Sequence, residues 1–109
     1  MKNHPKNYQH LVQLFKDLGT EAPETMAAFG SLHKAATQEG QLSKKTKELI
    51  ALGISITSRC DGCIAFHVHD ALKAGATNKE LIETIEVAIL MGGGPAMIYG
   101  CEGAKTIER

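Results

Sequence analysis

Apolar residues recur three and four apart along almost the whole chain, the spacing of one buried helix face. Leu11, Leu14, Phe15 and Leu18 mark a first helix from about Tyr8 to Leu18, which Gly19 ends. Pro23 suits the first turn of a second helix running to about Thr37, and Gly40 closes that segment. Ser43 is a good N-cap for a third, Lys44 to Thr57, whose face of Leu49, Leu52 and Ile56 is expected to be buried. The β-branched Ile50, Ile54, Ile56 and Thr57 leave a strand open for its last part, with helix preferred. A fourth helix starts near Cys60 or Asp61 and runs to Lys73, stopping at Gly75. Thr77 and Glu80 have capping-box spacing for a fifth, Asn78 to about Met91. Gly92-Gly93-Gly94 breaks that helix, and Pro95 restarts a last one toward Lys105. No alternating strand pattern competes. The pattern predicts an all-α fold, a compact bundle of about six helices in one domain spanning residues 1–109, with residues 1–19 as an N-terminal helix or arm.

Ile50 and Ile54 make the third helix apolar on a second side, and a helix apolar nearly all round is either central or shared with a partner. A 109-residue chain also buries only a modest share of its surface. Both facts predict a homo-oligomer. With 5% aromatic residues and no Trp, aliphatic and Ala-rich surfaces must do most of the packing. Lys plus Arg and Asp plus Glu number twelve each, and no basic stripe carries interleaved aromatics, so nucleic acid is not an expected partner. The uncharged run Leu49 to Ser58 is about half of what a membrane span needs, and the first residues lack the apolar segment of a secretory signal. The expectation is a cytoplasmic protein without a membrane partner.

Cys60 and Cys63 are too close in sequence to staple a fold, because the loop they close is tiny. Such a pair reads as redox or metal chemistry. Placed on one helix, Cys60, Cys63 and His67 fall within an arc of about 60°. A helix N-terminus stabilises a thiolate, His67 can take the thiol proton, and the second cysteine can close a disulfide. The same three side chains could instead supply three zinc ligands, with Glu48 or Asp70 as a fourth. Glu48, twelve residues before Cys60, reads two ways. It is either a proton carrier at the edge of an apolar face or an ordinary first-turn acid paired with Lys44 or Lys45. Spacing alone favours the ordinary acid.

The stretch from Lys47-Glu48-Leu49 to Ser58-Arg59-Cys60-Asp61-Gly62-Cys63-Ile64-Ala65-Phe66-His67 resembles the alkylhydroperoxidase D-like, carboxymuconolactone decarboxylase family. That family's signature is a Glu, eleven residues, then Cys-x-x-Cys-x-x-x-His, and Glu48, Cys60, Cys63 and His67 fill its four places. The resemblance implies an all-helical trimer or hexamer that reduces hydroperoxides or exchanges disulfides. It implies that Cys63 attacks, that Cys60 is its disulfide partner, and that Glu48 and His67 relay protons. No cofactor is implied. The substrate would be a small hydroperoxide or a disulfide, and an external lipoyl- or thioredoxin-type dithiol would restore the thiols. One departure stands out: peroxidase members carry a second His between the cysteines, where this chain has Gly62. That weighs against efficient peroxide turnover and leaves dithiol exchange intact. The decarboxylase branch generally lacks the cysteine pair, so lactone decarboxylation is not expected.

Other residues attract less chemistry. His69 points to the far side of its helix and is expected at the surface. Asp70 could orient His67, though an ordinary solvated acid is the simpler reading. Glu80, Glu83 and Glu86 read as a solvated helix face, and His4 and His33 lack ligand-spaced neighbours. Gly92 to Pro95 lacks the Gly-Lys-Ser/Thr of a phosphate loop. Met26, Met91 and Met97 read as core or interface filler, and Cys101 has no assigned role.

Overall fold

The computed structural model describes residues 4–105, with side chains from residue 7 onward, so His4's side chain lies outside the described residues. The helices are α1 (His4–Glu21), α2 (Pro23–Thr37), α3 (Lys44–Thr57), α4 (Asp61–Lys73) and α5 (Asn78–Lys105), with no strand among the described residues. Their ends follow local chemistry. The Ser43 hydroxyl accepts the Thr46 N–H at 3.1 Å and so caps α3. At the start of α5 the Thr77 N–H donates to Glu80 Oε1 at 2.8 Å while the Glu80 N–H donates to Thr77 Oγ1 at 3.1 Å, a reciprocal capping box.

Two helices end in the same turn. At the end of α4, the Gly75 N–H donates to the Leu72 carbonyl at 3.0 Å and the Ala76 N–H to the Ala71 carbonyl at 2.9 Å, with Gly75 at φ 99°. This is a Schellman ending, whose left-handed residue is usually glycine. The end of α3 repeats it with a side chain in that place: Arg59 has φ 58°, and Cys60 N–H donates to the Ser55 carbonyl at 3.0 Å. No strand forms at the end of α3, because this ending keeps it helical through Thr57.

The expected break at the glycine run is present: α5 is two helical arms joined across a kink, so five labelled helices stand where six were expected. Gly93 alone leaves helical geometry, at φ 70° and ψ −148°. The bend is sharp enough to fold α5 back on itself. A Cβ on Gly100 would lie 2.8 Å from Ile85 Cγ2, although fifteen residues of straight helix would separate the two by about 22 Å. The uncharged stretch Val87 to Cys101, longer than the Leu49–Ser58 run, lies across this bend. By length and composition α5 could cross a membrane. Neither of its arms alone approaches the roughly 20 residues of a span.

α3 lies between α4 and α5, and α1 packs on α2 and α4. Leu52 and Ile56 of α3 meet Ile64, Val68 and Ala71 of α4 and Leu81, Ile85, Ala88 and Ala96 of α5 in one core. The second apolar side of α3 stays bare, with Ile50 48% and Ile54 61% exposed. Together with Val87 and Met91 of α5 these residues line an apolar groove.

Lys45 Nζ donates to Glu80 Oε2 at 2.9 Å, tying α3 to the start of α5. This bond, joined by the Thr77 N–H, holds the Glu80 carboxyl below the usual range for a glutamate. The stability it contributes is therefore present above the unfolded-chain value and disappears as pH falls through the lower folded one. Thr77→Ala is expected to lower stability by about 1 kcal/mol in urea unfolding at neutral pH. Glu80→Gln is expected to flatten the acid limb of a plot of urea midpoint against pH, and an unchanged limb would show that the pair contributes nothing.

Candidate active site between α3 and α4

The turn that ends α3 delivers Cys60 directly to the start of α4. Cys60 is the last residue of the Schellman ending and also the N-cap of α4, where its Sγ accepts the Cys63 N–H at 3.2 Å. Its backbone is extended, at φ −103° and ψ 98°. The expected arc of three side chains on one helix is therefore corrected: Cys63 and His67 share a face of α4 one turn apart, and Cys60 lies on the cap. A cap sulfur faces the unpaired N–H groups and the partial positive charge of the helix start. Cys60 and Cys63 are joined as a disulfide with Cα atoms 5.2 Å apart, and both residues are half-buried.

Glu48 lies on the stripe of α3 that also buries Leu52, Ser55 and Ile56, and it is 0% exposed. Its Oε1 is 2.8 Å from His67 Nδ1, a hydrogen bond joining the two helices. The reading of Glu48 as a solvated first-turn acid is thus overturned, although Lys44 Nζ does lie 3.8 Å from its Oε2. An ionised Glu48 accepts from Nδ1–H and leaves Nε2 of the ring as the basic nitrogen. In a helix the His67 side chain leans toward the preceding turn, where Cys63 stands. All four sequence-derived residues therefore gather at one corner: the disulfide on the cap of α4, the imidazole one turn below Cys63, and the carboxyl behind it.

The neighbours differ more from expectation. His33, which has no ligand-spaced neighbours along the chain, reaches the site from α2. Its ring centroid is 6.4 Å from that of His67, and its Nε2 is 4.0 Å from Asp70 Oδ2. Asp70 does not orient His67; its Oδ1 pairs with His69 Nδ1 at 3.2 Å. His69 stays at the surface, with its side chain 38% exposed, and its ring stacks on Tyr8 of α1 at 3.8 Å. Burial, and then the charge of Asp70, push the Tyr8 phenol above its usual range. Leu11 of α1 covers Gly62: a Cβ there would lie 3.3 Å from Leu11 Cδ1. The position of the peroxidases' second histidine is thus roofed by an apolar side chain. Only contacts across the fold reveal His33 and Leu11.

The sequence profile of the Carboxymuconolactone decarboxylase family matches residues 23–106. An uncharacterized protein of Cupriavidus necator is 44% identical over 94 residues, covering 86% of this chain and 83% of that one. A carboxymuconolactone decarboxylase family protein from Legionella pneumophila, solved in its apo form, superposes with a TM-score of 0.90 at 40% identity, covering 94% of this chain and 92% of that one. A Thermotoga maritima member, for which a role in antioxidative response has been suggested, superposes with a TM-score of 0.68 at 28% identity over 84% of this chain and 86% of its own. The chain belongs to the carboxymuconolactone decarboxylase family.

Removing one member of a buried pair leaves the other unsatisfied. Glu48→Ala is expected to cost about 3 kcal/mol in urea unfolding, the low end for such a loss. Glu48→Gln keeps an acceptor for Nδ1 at nearly the same volume and is expected to cost clearly less. Equal losses in the two variants would mean that the hydrogen bond does not hold the helices together.

Proposed function

We propose that the chain is a dithiol–disulfide oxidoreductase that reduces hydroperoxides or small-molecule and protein disulfides through Cys60 and Cys63. The observation that carries this reading is the buried Glu48–His67 hydrogen bond placed behind a cysteine pair on a helix cap. The suggested antioxidative role of the Thermotoga maritima relative supports it.

In the reduced protein His67 takes the proton of the Cys63 thiol, and the thiolate attacks one peroxide oxygen. The O–O bond breaks, the alkoxide takes a proton from the imidazolium of His67 and leaves as an alcohol, and Cys63 becomes a sulfenic acid. The Cys60 thiol gives its proton to His67 and its thiolate attacks the Cys63 sulfur; the S–O bond breaks, the hydroxide leaves with that proton as water, and the disulfide forms. A reductant thiolate then attacks Cys63 Sγ and Cys60 departs as a thiolate. The cap position favours that departure, because the Cys63 N–H and the helix start stabilise the charge. The second thiol of the reductant displaces Cys63, leaving the reductant oxidised and both enzyme cysteines reduced. Run with a disulfide in place of the peroxide, the same sulfurs perform exchange.

Leu11 over Gly62 supplies an apolar wall where peroxidase members place a second imidazole, which favours exchange with dithiols over rapid peroxide turnover. A lipoyl- or thioredoxin-type dithiol is the proposed reductant, the cytoplasm the proposed setting, and a trimer or hexamer closed over the bare face of α3 the proposed assembly. Sedimentation as a monomer at micromolar concentration would count against the assembly.

Cys63→Ser is expected to abolish hydroperoxide and disulfide reduction, and Cys60→Ser, treated with hydroperoxide and then a monothiol such as 2-mercaptoethanol, to accumulate a mixed disulfide on Cys63, seen by mass spectrometry. Full activity in Cys63→Ser would overturn the assignment. The rival reading, zinc held by Cys60, Cys63 and His67, predicts stoichiometric zinc in protein purified under reducing conditions and dialysed.

A further inference from the structure

The carboxyl behind His67 is sealed from solvent: Glu48 is 0% exposed. A thiol proton is taken when Cys63 ionises and given back when the oxygen leaves, so a relay through this carboxyl works freely only if it can exchange with water between those moments. Oε1 is bonded to His67. Oε2 is buried and has no hydrogen-bond partner among the described residues, and the same holds for His33 Nε2. One donor atom each from His33, Glu48 and Asp70 lie within 4.8 Å of one another.

Magnitudes decide what these groups share. Two groups bonded to one water at about 2.8 Å each stand about 4.6 Å apart at a tetrahedral angle. Two ligands of one zinc ion at about 2.1 Å stand about 3.4 Å apart. The separations run up to 4.8 Å, and the 4.0 Å from His33 Nε2 to Asp70 Oδ2 is wider than a zinc ion would set, which leaves room for the water. The Lys44 ammonium, 3.8 Å from Glu48 Oε2, further disfavours a second cation. The site is polar on three sides, as a buried water requires. His33 also reaches outward: its side chain is 35% exposed although its Nε2 is covered.

From this arrangement, we infer that His33 is the exit through which Glu48 exchanges protons with solvent, by way of a water shared with Asp70. The inference rests on the dithiol reading above. His33 touches neither sulfur. It acts through Glu48, as a positioning residue that completes the path. When His67 takes the Cys63 proton, its Nδ1–H proton passes to the Glu48 carboxylate, and the carboxyl turns to present it at the unpartnered oxygen position. The O–H bond breaks as the water takes the proton, the water passes one to His33 Nε2, and the other ring nitrogen releases one to bulk solvent. No electrons move. The groups that set the balance around it are Glu48 and Lys44 from α3, His67, His69 and Asp70 from α4, and Tyr8 from α1 beside Asp70.

The test compares wild type, His33→Ala and His33→Gln as full chains in dilute buffer, with hydroperoxide or disulfide as substrate and dihydrolipoamide as reductant. Both variants are expected to turn over about tenfold more slowly, short of the ~100-fold cost of losing a direct acid–base group. Added imidazole is expected to restore His33→Ala while leaving wild type unchanged, with urea midpoints showing that all three fold. Variants as fast as wild type, or slow ones unmoved by imidazole, would overturn the inference and leave the dithiol reading standing. Stoichiometric zinc binding to the oxidised protein, abolished by His33→Ala, would overturn it in favour of a cation site. A wild type without turnover would remove the dithiol reading, and this inference with it.

Discussion

The buried hydrogen bond between Glu48 and His67 is the constraint on which the arrangement of α3 and α4 depends. A carboxylate removed from water without a partner costs several kcal/mol, so a wholly buried Glu48 persists only while an imidazole or ammonium group answers it. His67 does so at 2.8 Å, with Lys44 assisting from one helical turn away. Meeting that demand fixes the rotation of α3 about its axis. The stripe of Glu48, Leu52, Ser55 and Ile56 turns inward, and Ile50 and Ile54 are left facing out. The polar bond behind the cysteine pair therefore also determines which apolar face remains available to another surface.

Cys60 couples the chemistry to the fold in a second way. One residue closes the Schellman ending of α3 with its N–H and caps α4 with its sulfur. The angle between the two helices, and with it the meeting of Glu48 and His67, is set over three residues, Ser58 to Cys60. A hydroxyl or carboxylate is the usual cap; here the cap is a cysteine sulfur held in a disulfide. As a thiolate, Cys60 would accept the Cys63 N–H with a full charge, so reduction strengthens the cap just as it opens the disulfide. Redox state and local helix stability are linked through a single atom.

What could be read from the chain was what its neighbours in sequence control. Ser43, the Thr77–Glu80 box, Pro23 and Gly75 mark helix ends through contacts no more than a turn away, and those boundaries agree with the structure. Arg59 gave no such signal, because it occupies a left-handed position usually marked by glycine. Nothing local therefore counters the β-branched Ile50, Ile54, Ile56 and Thr57 that leave a strand open there, or decides whether α4 starts at Cys60 or Asp61. The glycine run announced a break but not its form, since the reversal is held by contact between Gly100 and Ile85 across the bend. The cysteines and His67 were legible as a motif. Glu48 was not settled by spacing, because its burial depends on α4 lying over it, and His33 depends on two helices that follow it in the chain.

The surroundings of the disulfide divide into two sides. Toward α2 and the start of α3 lie His33, Asp70 and Lys44, polar groups suited to moving protons. Toward α1 lie Leu11 over Gly62, and Tyr8 and Phe15 against Phe66, with ring centroids 5.3 and 5.5 Å from it. Under the proposed reading the two sides have separate duties. A sulfur attacked from the apolar side exchanges electrons with a substrate that brings little water, while its proton leaves by the polar side. An aliphatic dithiol such as a lipoyl chain gains from the apolar wall by burial, whereas hydrogen peroxide, small and fully hydrated, gains nothing from it. A histidine in place of Gly62 would put a proton donor on the same side as the approaching substrate and would have to displace Leu11 to do so. The single glycine therefore follows from the position of α1, and under the proposed reading a preference for dithiols over peroxide would follow from the glycine.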